Sequence, residues 1–271
     1  MGGCKVRKLS PSAITTFFDS PAKYAYRYLY KDVGLEALEK NEQNYDHDLI
    51  AGSLWSAFVH NFYRGMSIEG NSDTLLAEWM KQTEGWLSAK TRGQYTDALS
   101  ALTEKYYEKF SADDGMRSAM SEQEVSNEHF YGTPDGYSTE GIIHECKLTT
   151  RAKSLSAQFE VKYLHSIQIK VYAVILQAKG VVIELAFKDK PQEILRMPME
   201  PITKEMLDKW QAELVDLHSA ITNMKLYACN PAGCSIVGKY SISLCPFQPL
   251  CEGKISEDEI PQYFKLRENN R

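Results

Sequence analysis

Gly132-Thr-Pro-Asp135-Gly136, with Ile142-Ile-His-Glu145-Cys-Lys147 just after it, is the stretch that decides the fold of this 271-residue chain. A β-strand alternates its faces at every residue, so the second segment, if extended, carries Glu145 and Lys147 on one side. Gly136 is a turn signal between this segment and the run before it. A hairpin at that turn would bring Asp135 back beside Glu145, so that two anionic oxygens converge on one point.

Two carboxylates at one point suit a hard divalent cation. Mg²⁺ prefers oxygen ligands and is commonly held by one or two carboxylates, with water and substrate phosphate completing its shell. Such an ion polarises a phosphoryl oxygen and lowers the pKa of a bound water, while Lys147 would hold that water or neutralise developing charge. These residues indicate a metal-dependent phosphodiesterase. Taken alone, their spacing is also typical of solvated surface residues.

Composition limits the class of protein. A hydrophobic share of 43% in a chain of this length indicates a full core rather than disorder. The net charge of -5 argues against a general polyanion binder, so nucleic-acid contacts would depend on local basic patches such as Lys23, Arg27 and Lys31. Because no apolar run reaches bilayer length and the N-terminus lacks a secretory signal, we expect a soluble, cytoplasmic protein. Its six cysteines are then expected to be thiols or metal ligands rather than disulfides.

The predicted elements are helical first and mixed later. Helices are predicted at 13–18, 22–30, 49–64, 73–88 and 92–111, strands at 122–125, 128–131 and 142–148, a helix at 154–178, a hairpin of 181–187 with 194–199, and a helix at 204–225. This order predicts an α/β core in a helical surround. The tyrosines of the second helix cannot share one face, so they either pack against the core or stack on bases. They are Tyr24, Tyr26, Tyr28 and Tyr30.

A further motif, Gln168-x-x-x-Tyr172, falls on the helix predicted after Glu145-x-Lys147. With the order of elements, these motifs resemble the PD-(D/E)XK nuclease superfamily, and within it the RecB-like branch that includes AddB, RecB-type CRISPR-associated nucleases and phage exonucleases. The resemblance implies a restriction-endonuclease-like α/β core, with a central mixed sheet flanked by helices. It also implies that Asp135 and Glu145 hold Mg²⁺ or Mn²⁺, and that Gln168 and Tyr172 orient near the active site or the DNA backbone.

Both ends of the chain extend the resemblance. Leu9-Ser-Pro-Ser-Ala-Ile-x-x-Phe17 and Ser20-Pro-x-Lys-Tyr-x-Tyr26 are similar to the family's N-terminal pattern, and Cys234 with Cys245-Pro-Phe-Gln-Pro-Leu-Cys251 resembles its C-terminal cysteine cassette. We therefore expect one nuclease domain over residues 1–271. It would consist of an N-terminal helical region (1–120), a catalytic core (121–226) and a C-terminal cysteine-containing clasp (227–271).

One departure from the family concerns a metal ligand. RecB-like enzymes usually carry Gly-x-x-x-His on a helix before the strands, with the His bound to metal, whereas here Gly52 is followed at that place by Ser56. His60 lies one turn later on the same helix face, about 6 Å along the axis. Either His60 serves as the third ligand through a shifted helix, or the two carboxylates hold the metal alone. A lone His on an apolar helix is also typical of a core residue.

The cysteines depart too. Iron–sulfur members hold a [4Fe–4S] cluster with one N-terminal and three C-terminal cysteines. Cys245 and Cys251 have the expected spacing, but Cys234 lies farther upstream than usual, and Ser20 stands where the first ligand belongs. The available substitutes are Cys4 and Cys229. The alternatives to a cluster are thiols that pack the clasp without metal and a four-cysteine Zn²⁺ site.

The residues and the resemblance together predict a metal-dependent DNA nuclease. We expect an exonuclease that acts at duplex ends or on single strands in DNA processing, recombination or repair, because nothing in the chain resembles a sequence-reading module. One alternative is a catalytically silent member of the fold that binds nucleic acid or serves as an assembly subunit. Another is a metal-stabilised binding module organised by the C-terminal cysteines.

Overall fold

The computed structural model describes residues 7–32, 34–37, 47–110, 123–150, 163–225, 227, 235–237, 242–244 and 246–267. The chain divides into two units, each with its own packing. Unit 1 comprises Met1–Lys8 and His47–Asp216. Unit 2 comprises Leu9–Asp46 and Leu217–Arg271, so it joins the two ends of the chain.

Several helices begin where the sequence supplies a cap. Within the described residues, the helices are α1 (Pro11–Asp19), α2 (Pro21–Tyr24), α3 (His47–Tyr63), α4 (Ile68–Thr83), α5 (Ala89–Phe110), α6 (Ile167–Leu176), α7 (Lys204–Thr222), α8 (Gln248–Cys251) and α9 (Ile260–Tyr263). The side chains of Ser10, Ser20, Ser67 and Ser166 accept hydrogen bonds from backbone N–H groups in the first turns of α1, α2, α4 and α6. Thr203 does the same for α7. Each cap satisfies a donor that a helix leaves unpaired.

The centre of unit 1 is a mixed sheet. The strands of the chain are β1 (Leu35–Ala37), β2 (Val125–Ser126), β3 (Tyr131–Gly132), β4 (Gly136–Tyr137), β5 (Ile142–Thr149), β6 (Gly180–Phe187), β7 (Glu193–Arg196), β8 (Glu200–Pro201), β9 (Ser235–Val237), β10 (Ile242–Leu244) and β11 (Phe264–Leu266). β5 and β6 run parallel, and β4 pairs antiparallel with β5. β7 and β8 both pair antiparallel with β6. The predicted central mixed sheet flanked by helices is thereby confirmed.

Helices cover both faces of β5. On one face, Tyr63 of α3 makes an edge contact with the His144 ring. On the other, Gln168 of α6 hydrogen bonds to Lys147. The neighbouring strand β6 is buried along almost its whole length, which agrees with its nearly continuous apolar run, Gly180–Phe187.

The helices α3, α4 and α5 share an aromatic core. Trp55 and Trp79 are fully buried, and Phe58, Phe62 and Tyr106 pack edge to face. Such pairs place the positive edge of one ring against the negative face of another. The helices predicted at 73–88 and 92–111 therefore each contribute one buried face to this core. Among the described helices, none combines the length and the apolarity that crossing a bilayer requires.

Unit 2 is built around the pairing of the chain's two ends. β1 pairs antiparallel with β11, with Leu35 opposite Leu266 and Ala37 opposite Phe264. A small core lies beneath this pair. It contains Leu35, Phe247, Leu250, Ile260 and Phe264. β9 and β10 form a separate antiparallel pair.

Some predicted boundaries are wrong for identifiable reasons. The strand predicted at 128–131 shrinks to β3, because the side chain of Asn127 accepts hydrogen bonds from the N–H groups of His129 and Phe130. That turn breaks the extended run. The helix predicted at 154–178 is described only as α6, since residues 151–162 lie outside the described part. Its start is set by the Ser166 cap and its end by Gln177, whose φ of 50° is left-handed.

Candidate active site

The hairpin between β4 and β5 places the two acidic residues side by side. Gly136 lies opposite His144 in the register, which brings Asp135 next to the following residues of β5. The backbone N–H of Cys146 donates to Asp135 Oδ2 at 2.8 Å. The structure therefore brings Asp135 and Glu145 together as predicted. The turn that does so lies at residues 138–141, however, and not at Gly136, which is part of β4.

Alternation along β5 puts Glu145 and Lys147 on the face that α6 covers. Lys147 Nζ donates to Glu145 Oε1 and, at 3.0 Å, to Gln168 Oε1. Because Ser166 caps α6, Gln168 lies in its first turn and Tyr172 one turn later on the same face. The Tyr172 hydroxyl donates to the carbonyl of Thr133 at 2.9 Å, so α6 holds both β5 and the hairpin. All five predicted residues thus meet at one site.

Burial gives Glu145 unusual electrostatics. It is 1% exposed, and its Oε2 is buried without a hydrogen-bond donor among the described residues. Desolvation of the carboxylate and the negative charge of Asp135 raise its pKa from 4.5 to about 7, although Lys147 acts in the opposite direction. Burial lowers the pKa of Lys147, but the two carboxylates outweigh it and raise that pKa, so the amine is held as an ammonium. Burial and then the charge of Glu145 raise the pKa of Tyr172.

The donor set fits a hard divalent cation. Asp135 and Glu145 offer carboxylate oxygens, which is the chemistry that Mg²⁺ and Mn²⁺ prefer. A buried acceptor atom without a donor costs free energy that a bound cation would recover. The unpaired Oε2 of Glu145 is therefore the atom that fits a metal best.

Ser56, rather than His60, is the residue of α3 that contacts the carboxylates. Ser56 Oγ donates to Asp135 Oδ1 at 2.5 Å. His60 is buried one turn farther along α3. Within the described residues, no three side chains of His, Cys, Asp or Glu form a group able to hold a metal, so the structure does not bring His60 together with Asp135 and Glu145 as a ligand set. The signal for Ser56 was its place four residues after Gly52, where related enzymes carry the His.

A buried ionic group lies on the opposite face of the sheet, and it was not predicted. Glu184 of β6 is fully buried and lies opposite Cys146 in the register. Arg196 Nε donates to Glu184 Oε2 at 2.9 Å, and Arg196 Nη2 donates to the Tyr63 hydroxyl at 3.0 Å. Burial raises the pKa of Glu184, while Arg196 opposes this. The available signal was one charged residue within the apolar run of β6.

The cysteine region is only partly described. Cys234, Cys245, Cys4 and Cys229 lie outside the described residues, so the predicted cluster ligands stay a prediction. Cys251 is half-buried at the end of α8. Ser20, which stands where the first cluster ligand belongs, is buried and accepts a hydrogen bond from the N–H of Lys23 at 3.3 Å, so it serves as the cap of α2.

A family model and one solved structure agree with this architecture. A family model described as the PD-(D/E)XK nuclease superfamily matches residues 8–252. The crystal structure of a predicted exonuclease from Eubacterium rectale is similar with a TM-score of 0.51 at 15% identity, over 92% of this chain and 88% of that one. A phage-related exonuclease from Haemophilus somnus gives a TM-score of 0.35 at 13% identity, over 55% and 81% of the two chains. A search of curated proteins finds no match.

Proposed function

Because the chain belongs to the PD-(D/E)XK nuclease superfamily, we propose that it is a Mg²⁺- or Mn²⁺-dependent deoxyribonuclease that digests DNA from its ends. One observation carries the proposal. A fully buried Glu145, with an oxygen that accepts no hydrogen bond from the described residues, lies beside Asp135 and is paired with Lys147. A purely structural role does not account for this arrangement, because burying an acid next to a second acid, with one oxygen left without a donor, is costly.

The residues divide the work of phosphodiester hydrolysis among them. Asp135 and Glu145 would hold the divalent cation, which when bound polarises a phosphoryl oxygen and lowers the pKa of a water. Lys147 uses two of its N–H groups on Glu145 and Gln168 and has a third for the phosphate oxygen on which negative charge develops. Because its pKa is raised, Lys147 serves as a donor rather than as the acceptor of the water's proton.

Helix α6 supports the geometry rather than the chemistry. Gln168 fixes the direction of the Lys147 ammonium, and Tyr172 fixes Thr133, two residues before Asp135. A shift of about 1 Å in such groups can reduce a rate by roughly two orders of magnitude. The position of this Gln and Tyr pair on α6 also supports placing the chain in the RecB-like branch. The proposed role is in DNA processing, recombination or repair in the cytoplasm.

The proposal is tested with end-labelled single- and double-stranded DNA, incubated with Mg²⁺, with Mn²⁺ or with EDTA. We expect metal-dependent shortening from the ends, and we expect covalently closed circular DNA to stay intact. Asp135→Ala and Lys147→Ala should each reduce the rate by at least about 100-fold. The matched control is Glu140→Ala, since Glu140 is an exposed acid of the same unit. Unchanged cleavage in both site variants would refute the proposal.

A second candidate is a catalytically silent nucleic-acid-binding member of the fold. Ser56 in place of an imidazole, and the absence of a three-ligand metal group within the described residues, favour it. Calorimetry with Mn²⁺ separates the two functions. Binding that disappears in Glu145→Ala, together with cleavage, supports the nuclease. DNA binding without Mn²⁺ binding or cleavage supports the silent member.

The [4Fe–4S] cluster belongs to the proposal as an independent part. Its proposed ligands are Cys234, Cys245 and Cys251, with Cys4 or Cys229 as the fourth. Anaerobically purified protein that is brown and absorbs visible light would carry the cluster. Colourless protein with less than a stoichiometric amount of iron would refute the proposed cluster and would not affect the nuclease proposal.

A further inference from the structure

Two arginines from opposite ends of the chain meet on one tyrosine ring of unit 2. The Cζ atoms of Arg27 and Arg267 lie 5.8 Å and 5.1 Å from the centre of the Tyr28 ring. Both distances are within the range of a cation–π contact. We call this group the arginine pair. All three side chains are half-buried, so part of each is accessible to solvent.

The backbone around the arginine pair is tightly fixed. The N–H of Arg267 donates to the carbonyl of Gly34 at 3.0 Å, and Arg267 Nη1 donates to the carbonyl of Arg27 at 3.3 Å. Gly34 has a φ of +84°, and a Cβ there would lie 1.8 Å from the Arg27 carbonyl oxygen. Only glycine allows this approach. The pairing of β1 with β11 continues directly into Arg267, so the sheet register sets the position of the second arginine.

Tyr28 is held in turn from the interior. Its ring centre lies 5.5 Å from that of Tyr24, which is 1% exposed. Of the tyrosines in this segment, Tyr24 therefore packs in the core, as one of the two sequence-based alternatives requires. Tyr28 joins that core to the two guanidinium groups at the surface.

Among the side chains that the structure describes, no carboxylate balances the charges of the arginine pair. Among the described residues, neither Arg27 nor Arg267 forms an ion pair with a carboxylate. The nearby acid Glu36 is 3.8 Å from Lys265 instead. Two guanidinium groups on one ring repel each other, and partial burial weakens the screening of that repulsion. An anion that contacts both groups removes this cost.

We propose that the arginine pair binds the phosphate groups of a nucleic-acid strand. A guanidinium presents a planar fork of donors that matches the oxygens of a phosphodiester. Lys31 adds a third cation, exposed, with its Nζ 5.5 Å from the Tyr30 ring. Contacts of this kind hold the backbone irrespective of sequence, as a non-specific exonuclease needs. The inference rests on the proposed function for its choice of nucleic acid among phosphate-bearing ligands.

The test measures binding of labelled single-stranded DNA by fluorescence anisotropy in EDTA, so that no cleavage occurs. Each lost phosphate contact should reduce the slope of log K against log salt by about 0.7. When salt is raised from 50 to 200 mM, the fall in DNA affinity should therefore be about sevenfold smaller for the double variant Arg27→Gln/Arg267→Gln than for the wild type. The matched control is Lys254→Gln/Lys265→Gln, which removes two exposed cations of the same unit that already pair with Glu252 and Glu36. The control should keep the wild-type slope.

Two further measurements keep the outcome unambiguous. Arg27→Lys/Arg267→Lys keeps both charges, so it should keep most of the salt slope even if the glutamine variant unfolds. The second measurement is the displacement of DNA by inorganic phosphate. If phosphate displaces DNA equally from the wild type and from the glutamine variant, its site lies elsewhere and the proposal is overturned. A wild-type salt slope in the folded glutamine variant would also overturn it.

Failure of this inference differs from failure of the proposed nuclease. If the glutamine variant binds and cleaves DNA like the wild type, the proposed role of the arginine pair is refuted and the proposed nuclease activity is not. If the wild type binds DNA through the arginine pair but cleaves none with Mg²⁺ or Mn²⁺, the proposed nuclease activity is refuted and the proposed role of the arginine pair is not.

Discussion

Replacing Glu145 by Gln should stabilise the metal-free protein at pH 8. The pKa of this carboxyl is raised from 4.5 to about 7 in the folded protein, first by burial and then by the charge of Asp135. The folded state therefore holds the proton more tightly than the unfolded state. Stability is lost as pH rises from about 4.5 to about 7, and the full cost is present above that range. The pKa difference corresponds to roughly 3 kcal/mol.

A glutamine at this position has no charge to bury, so Glu145→Gln should recover up to about 3 kcal/mol at pH 8 and little at pH 5. In a domain of this size, that is up to about 10 °C in the unfolding midpoint. The measurement is differential scanning calorimetry of the metal-free protein in EDTA at both pH values, with the exposed Glu140→Gln as control.

Metal should reverse the order of stability. A cation that binds only the folded state adds stability in proportion to the logarithm of its concentration over its dissociation constant. Saturating Mg²⁺ or Mn²⁺ should therefore raise the unfolding midpoint of the wild type at pH 8 and leave that of Glu145→Gln unchanged. The argument would be refuted if Glu145→Gln were less stable than the wild type at pH 8 in EDTA. It would also be refuted if the variant gained the same stability at pH 5 as at pH 8.

Three further predictions follow from other contacts of unit 1. Lys147→Met should reduce cleavage by at least about 100-fold, since it removes a donor to the developing charge, while Mn²⁺ affinity measured by calorimetry falls no further than a few-fold. Ser56→His adds an imidazole nitrogen beside Asp135 and should tighten Mn²⁺ binding relative to Mg²⁺, whereas Ser56→Ala should not change this ratio. Arg196→Met leaves Glu184 buried without its cation and should cost about 3–5 kcal/mol in urea unfolding. Adding Glu184→Gln should restore most of that loss.

The part of the site that lies on one strand could be predicted from the sequence. The prediction of a strand from Ile142 to Leu148 differs from β5 by a single residue at its end. Alternation along that strand then fixes the side of Glu145 and Lys147. The turn predicted at Gly136 lies at residues 138–141 instead, but the hairpin that it closes still sets Asp135 beside Glu145. These are short-range relations, so local sequence contains the information they need.

The contact of Ser56 with Asp135 was not accessible in the same way. It joins residues 79 positions apart and depends on the rotation of α3 about its own axis. The apolar residues of α3 surround most of the helix, so polarity does not say which face meets the sheet. The sequence analysis offered His60 as a third ligand, or the two carboxylates alone, and the helix packing instead places Ser56, one turn before His60, at the carboxylate.

The buried Glu184 and Arg196 pair shows a different limit. The two residues lie directly opposite each other in the pairing of β6 with β7, so the pair depends on the exact register of a hairpin. A shift of one residue would move Arg196 to the other face of the sheet. A Glu inside an apolar strand signals that a partner exists, but it does not identify the partner.

The features that weaken the metal-free site are the ones that would give it affinity for the proposed cation. Glu145 is buried on the face of β5 next to Asp135, so the charge of Asp135 opposes the ionisation of Glu145, and Lys147 supplies one positive charge against two negative ones. The unpaired Oε2 of Glu145 adds the cost of a missing donor. A divalent cation offsets both costs at once. The fold of unit 1 supplies the stability needed to hold this arrangement, through the aromatic core of α3, α4 and α5 and through the Glu184 and Arg196 pair on the opposite face of the sheet. On the proposed function, metal affinity and the instability of the metal-free site therefore have the same physical origin, and Glu145→Gln should raise the stability of the metal-free protein while it abolishes metal binding.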